Sequence, residues 1–222
     1  MKYHCNMYVI TIDQRNSRRS ADRVPELLQA LRPVPTLLGF ERTVGDEVQA
    51  LLDRPEAVVD AVLRAVRAKA WSIGVGLGEV RTPLPASSRE AAGTAFLAAR
   101  DAVEEAKRRG PRKPLALRAV PTGAAADPVV AAAAADAEAV LVLLAQLVDT
   151  RSAAQWAVLD LSQQEPDLPL TGIAKRLSTS HQAVGGLVQR SHWYEEEAAR
   201  PAAAALLERA DRLLTGAEAI GW

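Results

Sequence analysis

Met7-Tyr8-Val9-Ile10-Thr11-Ile12-Asp13 is a β-branched, apolar run that ends in polar residues, and it reads as a buried strand. From Ala21 to Leu31, apolar residues fall at Val24, Leu27, Leu28 and Leu31, the spacing of an amphipathic helix. Leu38 to Leu52 is apolar and polar by turns around Gly45-Asp46, the pattern of two strands joined in a hairpin. Pro55 to Ala68 returns to helical spacing through Val58, Val59, Val62, Leu63 and Val66, with Pro55 suited to a first turn. Trp71 to Val80 is another strand, carrying Gly74, Gly76 and Gly78 along one face. Ser87 to Lys107 reads as a helix opened by a serine and stopped by Gly110-Pro111, and Leu115 to Val120 as a last strand.

The order β-α-β-β-α-β-α-β begins with the split βαβ arrangement of ferredoxin-like folds. Pro121-Thr122-Gly123 then punctuates the chain, and ten of the sixteen residues from Ala124 to Ala139 are alanine. Asp127-Pro128 suits an N-cap and first turn, and the helix it opens runs to about Val148. Its apolar span approaches membrane length, but Asp136 and Glu138 near its centre would be costly in lipid, so no membrane is expected. Ala134, Ala137, Leu141, Leu144 and Val148 form a packing seam, either within the chain or between two copies. Three shorter helical patterns follow, then a charged helix from about Ala199 to Leu214. The expected class is therefore α+β: an α/β domain at 1–122, a linking and possible dimerising helix at 123–150, and an all-α domain at 151–222.

Twenty-seven basic and 27 acidic side chains in 222 residues, with 49% hydrophobic content, describe a globular chain and exclude a disordered one. One cysteine, Cys5, excludes a disulfide framework and a cysteine-based zinc site. Met1 to Asn6 is too polar for a signal peptide, so the cytoplasm is the expected location. The zero net charge hides an asymmetry. Residues 1–122 hold 20 basic and 14 acidic side chains, whereas residues 123–222 hold 7 and 13. Within the acidic part, Leu168 to Tyr194 carries Lys175, Arg176 and Arg190 and no carboxylate, which suits a polyanion.

Two constellations carry chemistry. Asp13 ends the first strand and Asp46, followed by Glu47, tips the hairpin; carboxylates meeting at one sheet edge are the donor set for Mg²⁺. Arg15, Arg18, Arg19 and Arg23 follow Asp13 and suit phosphates, while Lys107-Arg108-Arg109 with Arg112-Lys113 reads as a solvated helix end. The second constellation is Ile173, Ala174, Leu177, Val184 and Leu187, the spacing of a helix-turn-helix turning at Ser178-Thr179. Its outer face would present Ser180, His181, Gln182, Gly185, Gly186 and Gln189 to bases, with Lys175, Arg176 and Arg190 on phosphates. Three-helix bundles of this spacing also serve as protein-interaction domains. No catalytic triad is visible.

Arg42-Thr43-Val44-Gly45-Asp46-Glu47-Val48 resembles the hairpin of class III nucleotide cyclases and GGDEF-type palm domains, and Ile10-Thr11-Ile12-Asp13 resembles their first metal-binding strand. The set Asp13 to Arg18, Gly45-Asp46-Glu47, Gly74 to Gly78, Gly93-Thr94-Ala95-Phe96 and Ala99-Arg100 is similar to the SatD family, which often joins such a domain to a helix-turn-helix. The resemblance implies Asp13 and Asp46 as metal ligands, Arg100 as the arginine that steadies a transition state, and Arg42 where adenylyl cyclases read the base with lysine. Phe96 stands where cyclases place an asparagine, and losing one oriented donor typically costs a few kcal/mol of transition-state stabilisation. The expected protein is thus a homodimeric regulator of transcription that binds double-stranded DNA. Its palm domain binds a nucleotide, through Arg15, Arg18, Arg42 and Arg100 with Mg²⁺, or only scaffolds the dimer. The alternative is a metal-dependent nucleotide cyclase or nucleotidyltransferase regulated by its helical domain.

Overall fold

A computed structural model of the chain describes residues 6–110, 113–121 and 127–216. Cys5, Arg112 and the Thr122-Gly123 punctuation lie outside the described residues. Five strands make one mixed sheet: β1 (Asn6–Gln14), β2 (Leu38–Arg42), β3 (Glu47–Leu52), β4 (Trp71–Glu79) and β5 (Leu115–Ala119), in the order β2-β3-β1-β4-β5. β1 is antiparallel to both β3 and β4, β2 is antiparallel to β3, and β5 runs parallel to β4. The chain is α+β. Eight α-helices complete the described residues: α1 (Val24–Leu31), α2 (Pro55–Ala68), α3 (Thr94–Arg108), α4 (Pro128–Asp149), α5 (Ala153–Gln164), α6 (Leu170–Arg176), α7 (His181–Arg190) and α8 (Trp193–Thr215).

Alternation along the strands divides the sheet into two faces. Tyr8, Ile10 and Ile12 of β1, with Ile73, Val75 and Leu77 of β4, form the main core with α1, α2, α4 and α8. Met7 and Val9 face the other way, against α3. The glycines of β4 explain how α3 lies so close. A Cβ on Gly76 would stand 2.2 Å from the Ala95 carbonyl oxygen and 2.3 Å from the Ala99 nitrogen, and one on Gly74 would meet Val103 and Ala99 backbone. Helix backbone rests on strand backbone, with Ala95, Ala98, Ala99 and Ala102 as the helix's matching small residues.

Two expectations need correction, on where the helix after Ser87 and the last helix begin, and the open choice for the α4 seam is decided. The helix expected from Ser87 starts at Thr94. Ser87 and Ser88 instead give their hydroxyls to Glu41 of β2, and Gln49 of β3 donates to the Ser88 carbonyl, so residues 80–93 are pinned as a loop across the sheet. The α4 seam is not open to a second copy: Ala134, Ala137, Leu141, Leu144 and Val148 are buried in the chain's own core. Ala203, Ala204, Leu207 and Ala210 of α8 belong to that same core, the three alanines allowing close approach. Hence the last helix, which begins at Trp193 rather than Ala199, belongs to the sheet layer and not to the helices before it. Those helices, α5 to α7, have their own small core of Val158, Ile173, Ala174, Val184 and Val188. α4 is long and apolar enough to cross a membrane by length and composition, yet its Glu138 accepts the Leu117 N–H of β5 and pairs with Arg109.

Candidate functional site

The α5–α7 unit is built from local signals. Ser152 and Gln155 form a reciprocal capping box that starts α5. α6 buries Ile173 and Ala174, and the chain then turns through Ser178, whose φ of 51° is left-handed. The Thr179 N–H closes the turn on the Ala174 carbonyl at 2.9 Å. Ser180 caps α7 by accepting the Ala183 N–H at 3.1 Å. Val184 and Val188 turn inward, so the second anchor expected at Leu187, which is half-buried, lies one residue later. Gln182 and Gln189 are exposed on the opposite side, while His181 and Arg190 are exposed at the two ends of the helix. Gly185 has no heavy atom within 4 Å of an added Cβ, and Gly186 lies under the Arg190 guanidinium.

The expected phosphate contacts are not equivalent. Lys175 and Arg190 are exposed and make no ion pair among the described residues. Arg176 is engaged by both carboxylate oxygens of Glu165, at 2.6 and 3.0 Å. Glu165 stands three residues before the acid-free stretch, and sequence proximity alone could have suggested it.

The unit is fastened to the body by arginines. Arg67 of α2 grips Asp160 at 2.7 and 2.6 Å and stacks 3.9 Å from the Trp156 ring centre. Arg151, just before α5, lies 4.9 Å from Trp156 and 5.6 Å from Trp193. Its Nε donates to the Ser191 carbonyl at the end of α7, and its Nη1 stands 2.5 Å from Glu196 of α8, both side chains being fully buried.

At the other candidate site, Asp13 sits opposite Glu47 in the β1–β3 register, with Asp46 at the adjoining hairpin tip. The carboxylates do gather at one sheet edge, and Asp46 and Glu47 both push the Asp13 carboxyl upward. Burial is the largest cause of that rise, and together with the two carboxylates it outweighs the lowering by Lys107. Lys107 is the residue the sequence reading missed. Its Nζ lies 2.9 Å from Asp13 and 2.7 Å from Glu104, so an ammonium stands where a metal ion's charge would sit. The donor set does not fit the expected Mg²⁺ pair, and no group of three or more His, Cys, Asp or Glu side chains among the described residues could hold a metal. The basic run thought to be a solvated helix end is largely paired: Lys107 as above, Arg109 with Glu105 and Glu138, Lys113 with Asp149.

The four arginines expected at phosphates do not share a site. Arg42 is held by both oxygens of Asp22, at 2.5 and 2.6 Å. Arg18 is exposed on a single 3-10 turn (Ser17–Arg19), and Arg15 lines a small cavity beside Trp71. Arg100 alone joins the large cavity, of about 1170 Å³, that lies beside α3 between the 80–93 loop and the β2–β3 hairpin. Arg81 and Arg89, which the sequence did not single out, line it too, as do Glu47, Phe96 and Leu97. None of the three arginines makes an ion pair among the described residues, and Phe96 packs toward the Met7 and Val9 cluster. Compared with known proteins, the chain matches no family model, no curated protein and no solved structure.

Proposed function

We propose that the protein is a sequence-specific, DNA-binding regulator of transcription that reads double-stranded DNA with α7. The observation that carries this reading is the α6–turn–α7 pair. Its apolar side forms a closed small core, while Gln182 and Gln189 are exposed on α7, Gly185 between them has open space where a side chain would stand, and Lys175 and Arg190 are exposed too. That division is what a helix-turn-helix requires, with a glutamine able to pair with an adenine edge and basic ends able to meet phosphates. Arg176, already paired, has a lesser part. His181 and the Ser180 hydroxyl sit at the N-terminal end of α7, where such helices touch bases or backbone.

The α/β part supports a palm-type reading of the SatD kind, because β2-β3-β1-β4 is the strand order of a split βαβ fold. In this reading it takes a nucleotide in the large cavity, the phosphates on Arg81, Arg89 and Arg100, and it holds two copies together in the cytoplasm. The cyclase alternative has less support, because Lys107 neutralises Asp13 and Phe96 offers no hydrogen bond.

The test uses the full-length chain, since a truncation at Thr150 would strip α8 from the core. Selected DNA sites should be two-fold symmetric, with half-sites about one helical turn apart or a multiple of it. Lys175→Ala and Arg190→Ala should weaken binding to all sequences and flatten its salt dependence, while Arg176→Ala changes it little. Gln182→Ala should cost about 1–3 kcal/mol at one base position only. Uniform indifference of DNA affinity to all three weakening changes would refute the reading and favour a protein-interaction unit.

A further inference from the structure

A second cavity, of about 220 Å³, opens where β1 ends, β4 begins and α4 stops. Arg15, Lys69, Lys113, Trp71, Gln146 and Asp149 supply its polar lining. Lys69 Nζ stands 2.7 Å from one Asp149 carboxylate oxygen, Lys113 takes the other, and Lys69 also donates to the Asp149 main-chain carbonyl. Two ammonium groups converging on the oxygens of one anion is the geometry of an oxyanion site, filled here by the chain's own carboxylate. The cations exceed the acid. Arg15 also lines the cavity and makes no ion pair among the described residues.

An independent observation comes from Trp71, which is 3% exposed and lines the same cavity. Its indole N–H has no acceptor among the described residues. A buried donor left unpaired is costly, and its natural remedy is an acceptor in the adjoining space. The cavity is smaller than the range that holds drug-sized ligands, so it suits a single compact group rather than a whole nucleotide.

We propose that this cavity binds a phosphate-class oxyanion, free or as the end group of a phosphomonoester, which exchanges with Asp149 for Lys69 and Lys113. The anion brings the acceptor that Trp71 lacks and the charge that Arg15 lacks. Asp149, the last residue of α4, is then an internal competitor for the site. The proposal stands apart from DNA reading and from the large cavity.

The experiment is calorimetry on the full-length chain with inorganic phosphate and, separately, ribose 5-phosphate, at an ionic strength fixed with chloride. Saturable one-site binding is expected, with the Trp71 indole resonance, identified by its loss in Trp71→Phe, shifting on titration. Asp149→Asn should tighten binding by about tenfold, the scale of one charge-assisted contact, whereas Asp136→Asn, on the exposed side of the same helix, should not. Lys69→Gln or Lys113→Gln should weaken it by a similar factor. Binding of phosphate alone identifies the free anion as the ligand; binding of both identifies the shared phosphate group. No binding of either, an unmoved Trp71 resonance at saturation, or equal effects of Asp149→Asn and Asp136→Asn would overturn the proposal.

Discussion

Gly185→Ala should raise the stability of the protein and lower its affinity for DNA, and the two effects have separate causes. Gly185 lies at the middle of α7, where glycine forfeits up to about 1 kcal/mol against alanine because its unfolded chain is freer. The new methyl group meets no heavy atom within 4 Å, so no steric term offsets the gain. For a chain of this size, a gain of about 0.5–1 kcal/mol moves the melting temperature by about 1–4 °C. Thermal denaturation reads the total, and amide exchange within α7 shows whether the gain is local. Gly185 is partly exposed and stands between the exposed Gln182 and Gln189 at helical spacing. On the proposed reading a methyl there holds the helix away from base edges, and the expected loss is about tenfold, the scale of one base contact. A fall in stability would refute the packing argument at Gly185. A rise in stability with unchanged DNA affinity would refute the choice of α7 as the reading helix.

The remaining predictions concern the body of the protein. Gly76→Ala should destabilise by at least about 1–3 kcal/mol in chemical denaturation, because the three nearest atoms to the new Cβ are all α3 backbone, at 2.2–2.8 Å. A neutral result would mean that α3 does not rest directly on β4. Glu196→Gln leaves the buried Arg151 without its counter-charge and should cost about 3–5 kcal/mol, read as a lowered denaturation midpoint. Asp13 has a raised folded-state pKa, so its ionised form costs stability above that value, and the cost vanishes at low pH, where folded and unfolded chains are both protonated. Asp13→Asn should therefore be at least as stable as the parent at pH 7, with the difference closing as pH falls; a marked loss at pH 7 would show that the Lys107 pair dominates.

Much of the architecture was legible because it is written in local periodicity. Met7 to Asp13 and Pro55 to Ala68 each satisfy one face of one element, and such patterns need no knowledge of the partner. The partner is what the pattern leaves out. The seam through Ala134, Leu141 and Val148 was visible as apolar spacing, but its cover lies about sixty residues later at Ala203 and Leu207, in a stretch whose alanines carry little signal. The alternating glycines of β4 were equally visible, while their cause, a helix laid on the strand, depends on small residues at Ala95 and Ala99. At the candidate sites the failures are electrostatic. Asp13 faces Glu47 across the strand register beside the hairpin tip, yet Lys107, ninety-odd residues from Asp13, is the charge paired with it. Arg42 and Arg176 read as free cations and are paired, since a charge's partner is set by the fold rather than by its neighbours in sequence.

The ion pair between Arg151 and Glu196 closes a loop in the chain. One residue precedes α5 and the other stands in the first turn of α8, so α5 to α7 form an excursion between two helices that pack on the sheet. The excursion is anchored at a third point by Arg67 on Asp160 and Trp156, which ties α5 to α2. The two chain crossings and the Arg67 contact together fix both position and rotation, unlike a tether at one chain crossing. On the proposed reading, the direction in which α7 faces DNA is thus a property of the α/β body. Half-site spacing would then follow from how two bodies associate, and the buried α4 seam cannot be that contact. On the proposed reading, the surface that joins two copies lies on the body's exposed sides. Changes at that surface should alter the preferred spacing between half-sites while leaving the base preference within each half-site intact, and the converse should hold for Gln182.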